Sequence, residues 1–177
     1  MSRVSFLPGN LDRKSFNRYD KVANETENEA EIVQNLSLED ILKMISTTHR
    51  KTQMYLNDRL KPMGLTSGQV AFLLITCEQG KIVQNKFCDI LDMDKSTVAK
   101  MLGKLEIQGF VTRKTNAEDC RSIDVYPTQQ AREIYPKLRE IGEGWGEKMT
   151  DGMSEVEKTI FFELLKKVTG NVVSYFS

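Results

Sequence analysis

One histidine, four prolines and three cysteines are all that the 177 residues contain of the side chains that most often build metal centres, rigid loops and disulfide frameworks. Cys77, Cys88 and Cys120 are odd in number and show no CxxC spacing, which argues against a disulfide scaffold and against a cysteine zinc site. His49 alone cannot build a histidine metal site, so neither a metal nor another cofactor is expected. No apolar run approaches the ~18 residues that span a bilayer, and the N-terminal segment has no apolar signal-peptide core, so a cytoplasmic protein with no membrane partner is expected. Gly-rich phosphate loops and a GxSxG turn are missing, and the carboxylates are scattered along solvated faces, so an enzyme is not expected.

Charge of one sign is also missing in excess: 25 basic residues balance 25 acidic ones. A nucleic-acid binder usually carries a basic footprint, so distribution matters more than the sum. Between Lys81 and Lys114 seven bases face four acids, a local charge of +3. Residues 1–37 hold five bases and six acids and dilute this bias.

What is present is concentrated between Gln84 and Arg121. A short apolar segment leads to the acidic turn Asp92-Met93-Asp94, and a second helix follows with Val98, Leu102 and Leu105 at i, i+4 and i+7 as its inward face. Asp94 is placed to cap that helix. Its outer side carries Lys95, Ser96, Ala99, Lys100 and Gly103, flanked by Thr97 and Lys104. Two short helices joined by a brief turn, the second polar outward, form the helix-turn-helix pattern that sets a recognition helix in the DNA major groove. Gly109 supplies a left-handed cap. Phe110–Arg113 and Arg121–Tyr126 then read as the strands of a hairpin wing, with Arg121 near its tip, where a narrow minor groove attracts a guanidinium. Asp119 is expected to orient that guanidinium through a charge-assisted pair.

The remainder reads as support. Residues 1–37 are polar and aperiodic and are expected to form an arm, flexible or partly docked, whose Phe6, Phe16 and Tyr19 are available for packing. Ser37 opens a long amphipathic helix that ends at Lys61-Pro62-Met63-Gly64. Thr66 and Gln69 form a capping box for a buried helix ended by Gly80. Beyond Thr128 come two further amphipathic helices, the last opened by Ser154 and Glu157. The fold class expected is α+β, mainly α-helical: a winged helix-turn-helix DNA-binding domain over residues 65–127, and a helical dimerisation region over residues 38–64 and 128–177. Two-fold symmetry in a homodimer implies a palindromic site in double-stranded DNA.

Leu65-Thr66…Gln69, Asp94-Lys95-Ser96-Thr97-Val98…Leu102…Leu105-Glu106…Gly109-Phe110-Val111…Arg113, Asp119-Cys120-Arg121 and Thr128, in this order, resemble the MarR family of winged-helix transcription factors over roughly residues 38–175. The resemblance implies a dimeric regulator, usually a repressor, that is released from its operator by small aromatic acids or by thiol oxidation. It implies DNA or phosphate contacts at Thr66, Lys95, Ser96, Thr97, Lys100, Lys104 and Arg113, and a wing pair of Asp119 and Arg121. Pro127, Ala131 and Gly103 depart from the usual leucine, glycine and larger polar residue. An effector cleft lined by His49, Tyr55, Phe72, Tyr135 and Trp145 is the corresponding expectation for a small aromatic ligand. Cys120, on the exposed wing, is the redox candidate. The alternative is a winged-helix module that sequesters another regulator by protein–protein contact, which low net charge would suit.

Overall fold

The computed structural model describes residues 37–176; the expected arm up to residue 36 lies outside them. Between His49 and Arg50 the chain divides into two compact units. The described part of the first is the opening of helix α1 (Leu38–Leu60). Ser37 starts it through a reciprocal pair: its hydroxyl donates to the Asp40 carboxylate at 2.9 Å and accepts from the Asp40 N–H at 3.2 Å. Such caps satisfy amide donors that the first helical turn leaves open.

The second unit begins within α1. A 3-10 turn at Lys61–Met63 ends the helix where Pro62 removes an amide donor, and Gly64 (φ +67°) reverses the chain in the left-handed region. Helix α2 (Ser67–Gln79) follows, with Phe72, Leu73 and Thr76 wholly buried. A two-residue strand, β1 (Ile82–Val83), leads to α3 (Lys86–Leu91). The chain leaves α3 through Asp92 at φ +50°, a conformation that aspartate tolerates better than most residues. Helix α4 (Lys95–Ile107) buries Val98, Leu102 and Leu105 against this core, as the i, i+4, i+7 spacing requires. Phe72 of α2 and Phe87 of α3 stack with centroids 5.1 Å apart. Burying each such side chain contributes about 1.5–3 kcal/mol, so these few contacts fix how α2, α3 and α4 pack.

Gly109 (φ +80°) turns the chain into β2 (Val111–Thr115), which pairs antiparallel with β3 (Ile123–Pro127). The sheet has three strands in the order β1-β3-β2, not the two of a bare hairpin. β1 is the added edge, Ile82 facing Val125 and Val83 facing Asp124. β2 starts one residue later and ends two later than the sequence indicates, and β3 starts two later and ends one later, because the pairing runs from Val111 with Pro127 to Thr115 with Ile123. Thr128 caps α5 (Gln129–Met149) and donates its hydroxyl to the Gly109 carbonyl at 2.7 Å, tying the start of α5 to the exit of α4. Helix α6 (Glu155–Phe176) opens with the Ser154–Glu157 box and has no buried residue. No described helix is long and apolar enough to cross a membrane.

Candidate nucleic-acid interface

The start of α4 is held by a single carboxylate. Asp94 accepts from the backbone N–H groups of Ser96 and Thr97, both at 2.9 Å, and from their hydroxyls at 2.6 and 2.7 Å. These four donors, the Ser96 and Thr97 hydroxyls foremost, hold the Asp94 carboxyl far below the ordinary carboxylate range. Ser96 and Thr97 remain exposed, beside exposed Lys95, Lys100 and Lys104. With both hydroxyl protons directed at Asp94, the oxygens present lone pairs outward and act as acceptors. The lysine ammonium groups add donors of the kind that phosphate oxygens accept from.

Below this face lies a brace that the sequence reading missed. Arg113 on β2 donates from Nε and Nη2 to Glu106 Oε2 at 2.9 and 2.7 Å, and its N–H donates to Glu106 Oε1 at 3.0 Å. The pair depresses the Glu106 pKa. Arg113 therefore faces α4, half-buried, whereas a DNA contact was expected of it. A Cβ added at Gly103 would stand 3.7 Å from the Arg113 guanidinium, an ordinary contact, so the brace does not require glycine there.

Thr66 is exposed, but its polar groups are engaged within the chain. Its N–H and hydroxyl donate to Gln69 Oε1 at 2.9 and 3.1 Å, so that hydroxyl proton, expected to serve a phosphate, is engaged within the chain. Gln69 Nε2 donates on to Gln108 at 2.6 Å, and Gln108 Nε2 donates to the Gly64 carbonyl at 2.8 Å. The beginning of α2 is thereby tied to the end of α4. The next residue, Ser67, donates its N–H to Asn57 at 2.8 Å and its hydroxyl to Gln53, both on α1.

At the wing, Asp119 and Arg121 come together differently from the expected guanidinium pair. Asp119 accepts from the Arg121 backbone N–H at 3.0 Å and from the Ser122 hydroxyl at 2.6 Å, which lowers its pKa. No ion pair joins the two side chains among the described residues, and Arg121 is exposed. A two-residue spacing lets a carboxylate reach the following backbone more easily than a guanidinium on the far side of the turn.

The aromatic residues expected to line an effector cleft are not gathered into one. Phe72 is fully buried in the core. Tyr55 and Trp145 stack at 4.6 Å, the indole N–H donating to Thr52 at 2.9 Å, while Tyr135 donates to Glu78 at 3.2 Å. His49 is exposed on α1 in the first unit. A cleft of about 660 Å³ opens beside Tyr55 alone of the five; Asp58, Arg59, Lys137, Glu140, Glu143 and Glu147 dominate its walls. Cys120 is exposed, whereas burial raises the Cys77 thiol pKa.

A capped, base-rich helix packed through α3 on a buried core, with a β-wing directly after it, defines a winged helix-turn-helix DNA-binding protein. The sequence profile of the MarR family matches residues 65–123. The uncharacterized HTH-type transcriptional regulator YybA of Bacillus subtilis (strain 168) is 30% identical over 135 residues, 76% of this chain and 90% of that protein. A putative MarR-family regulator from Listeria monocytogenes, solved in complex with a 26mer DNA, is 29% identical, with a TM-score of 0.72 over 76% of this chain and 90% of that one. A MarR protein from Peptoclostridium difficile is 28% identical, with a TM-score of 0.75 over 80% and 92% of the two chains. The chain belongs to the MarR family: it is a DNA-binding transcriptional regulator and not an enzyme.

Proposed function

We propose that this regulator is a cytoplasmic repressor that binds a palindromic operator as a homodimer. Residues 65–127 form the reading domain, and residues 38–64 with 128–177 the dimerisation region. The observation that carries the dimer is α6: Val156, Ile160, Leu164, Val168 and Val172 form an apolar row at helical spacing, and each is about half exposed or more, Val156 reaching 68%. A row of that length left in water marks an interaction surface, and a second copy satisfies it with two-fold symmetry.

On DNA, α4 enters the major groove. Lys95, Lys100 and Lys104 engage phosphates or base edges, and the Ser96 and Thr97 oxygens accept from base amino groups. Arg121 enters the minor groove from the wing tip. Arg113 supports α4 through Glu106, and Thr66 contributes through its backbone turn. Release by a small molecule or by oxidation belongs to the same reading. The open cleft beside Tyr55, with four acids and two bases among its lining residues, suits a cationic or neutral aromatic better than an aromatic acid. Cys120, exposed between Asp119 and Arg121, is the thiol whose oxidation would disturb the wing.

The test is fluorescence anisotropy with DNA from the upstream region of the chain's own gene, against scrambled DNA, at two salt concentrations. Selective binding that weakens steeply with salt is expected. Arg121→Ala should cost about 1–3 kcal/mol of operator affinity with the dimer intact. Salt-insensitive binding without sequence preference would overturn the operator reading and turn attention to a protein partner.

A further inference from the structure

Among the described residues Asp124 is the one charged residue in the buried set, 3% exposed in the middle of the central strand. Its neighbour Val125 points to the helical core and is also buried, so Asp124 lies on the opposite face, where a strand residue normally meets water. Three groups cover it. Lys81, just before β1, donates to Oδ2 at 2.9 Å; the Tyr126 hydroxyl donates to the same oxygen at 3.3 Å; Asn116 Nδ2 donates to Oδ1 at 2.9 Å. The Lys81 ammonium is the foremost reason the Asp124 pKa lies below its ordinary value.

The contacts continue into the wing tip. Asn116 Oδ1 accepts from the N–H groups of Glu118 and Asp119 at 2.8 and 2.9 Å. Asp119 in turn accepts from the Arg121 N–H and the Ser122 hydroxyl. A hydrogen-bonded chain thus runs from Lys81 through Asp124, Asn116 and Asp119 to the backbone of Arg121. Only the carboxylate of this ion pair is buried, Lys81 being about half exposed, and such pairs contribute little net stability, so stability alone is a weak reason for a charge at this position. Both carboxylate oxygens are used to hold partners on either side of the strand, which fixes orientation.

We propose that Asp124 is a positioning residue for DNA binding: held by Lys81, it fixes Asn116 and through it the wing tip that presents Arg121. The proposal rests on the assignment of Arg121 to DNA.

The test uses the full-length chain and a DNA duplex selected by it from a random pool. Affinities are measured for Asn116→Ala, Asp124→Asn, Arg121→Ala and each of the first two combined with Arg121→Ala, alongside hydrogen exchange of the wing. Asn116→Ala removes three side-chain hydrogen bonds that act on DNA only through the wing tip, and should weaken binding roughly threefold to tenfold, the equivalent of about one lost hydrogen bond. Exchange at residues 117–122 should speed up, and Arg121→Ala should cost clearly less in either altered background than in the wild type. Asn116 is only half-buried, so its variant keeps the test open if Asp124→Asn fails to fold. Losses that multiply independently in the double variants, or unchanged affinity for Asn116→Ala, would overturn the positioning role while leaving Arg121 on DNA. An inert Arg121→Ala in the wild type would overturn the wing assignment and the positioning role with it.

Discussion

Gln69 and Gln108 use their amides alike, the oxygen accepting and the nitrogen donating, but one is buried and the other exposed, and truncating each should show the difference. Gln69 is 3% exposed and serves two partners: its oxygen accepts from Thr66, and its nitrogen donates to Gln108. Gln69→Ala removes a helix cap worth about 1 kcal/mol and a hydrogen bond worth about 1 kcal/mol, and leaves a small void where the buried stem packed. A loss of about 2–4 kcal/mol follows from these parts. Gln108 is exposed, so in Gln108→Ala water can take its place on Gln69 Nε2 and on the Gly64 carbonyl. Only about 1 kcal/mol should go. The double variant should lose less than the two single losses combined, because the bond the residues share is counted twice. Urea unfolding at fixed protein concentration reads this directly, as midpoint shifts at constant slope. Equal losses for the two single variants would refute the reasoning, since they would mean that water does not reach the Gln108 site.

Three further outcomes are expected. Gly109→Ala places a Cβ at φ +80°, 3.1 Å from the movable Gln130 amide oxygen; the left-handed backbone should cost about 1–2 kcal/mol, seen as a drop of a few degrees in Tm, and an unchanged Tm would count against the described turn. Asp94, Glu106, Asp119 and Asp124 all have lowered pKa values when folded. Their contribution is complete above the ordinary carboxylate range of about 4 and is lost as pH falls through the lower folded values, so Tm should hold from pH 7 to about 5 and then decline; a Tm that rises on acidification would contradict this. Leu164→Glu, which puts a charge in the middle of the α6 row, should convert a dimer to monomers in sedimentation velocity, and a retained dimer would locate the interface elsewhere.

The features legible in the sequence were those set by local chemistry. The Ser37, Thr66, Asp94, Thr128 and Ser154 starts of helices and the Gly64, Gly80 and Gly109 reversals each depend on a few neighbouring residues. The inward face of α4 followed from spacing alone. What was missed depends on distant partners. Ile82–Val83 is too short to show a period and is a strand only because β3 offers an edge. Asp124 stood between Ile123 and Val125 in an alternation that predicts water on its side; nothing local announces Lys81 and Asn116 above it. Arg113 read as a free base because Glu106 lies seven residues back, across the Gly109 turn. Apolar character could not separate core Phe72 from a cleft-lining aromatic, since both positions favour the same side chains.

The acids at the mouth of the reading head, Asp89, Asp92 and Asp94, are all exposed and stand just ahead of the lysines of α4. Grip on arbitrary DNA grows with unbalanced positive charge, whereas contacts to particular bases do not need it. On the proposed reading these carboxylates hold the reading head down to its +3 and so trim its grip on arbitrary DNA, which shifts the burden of affinity towards contacts with particular bases.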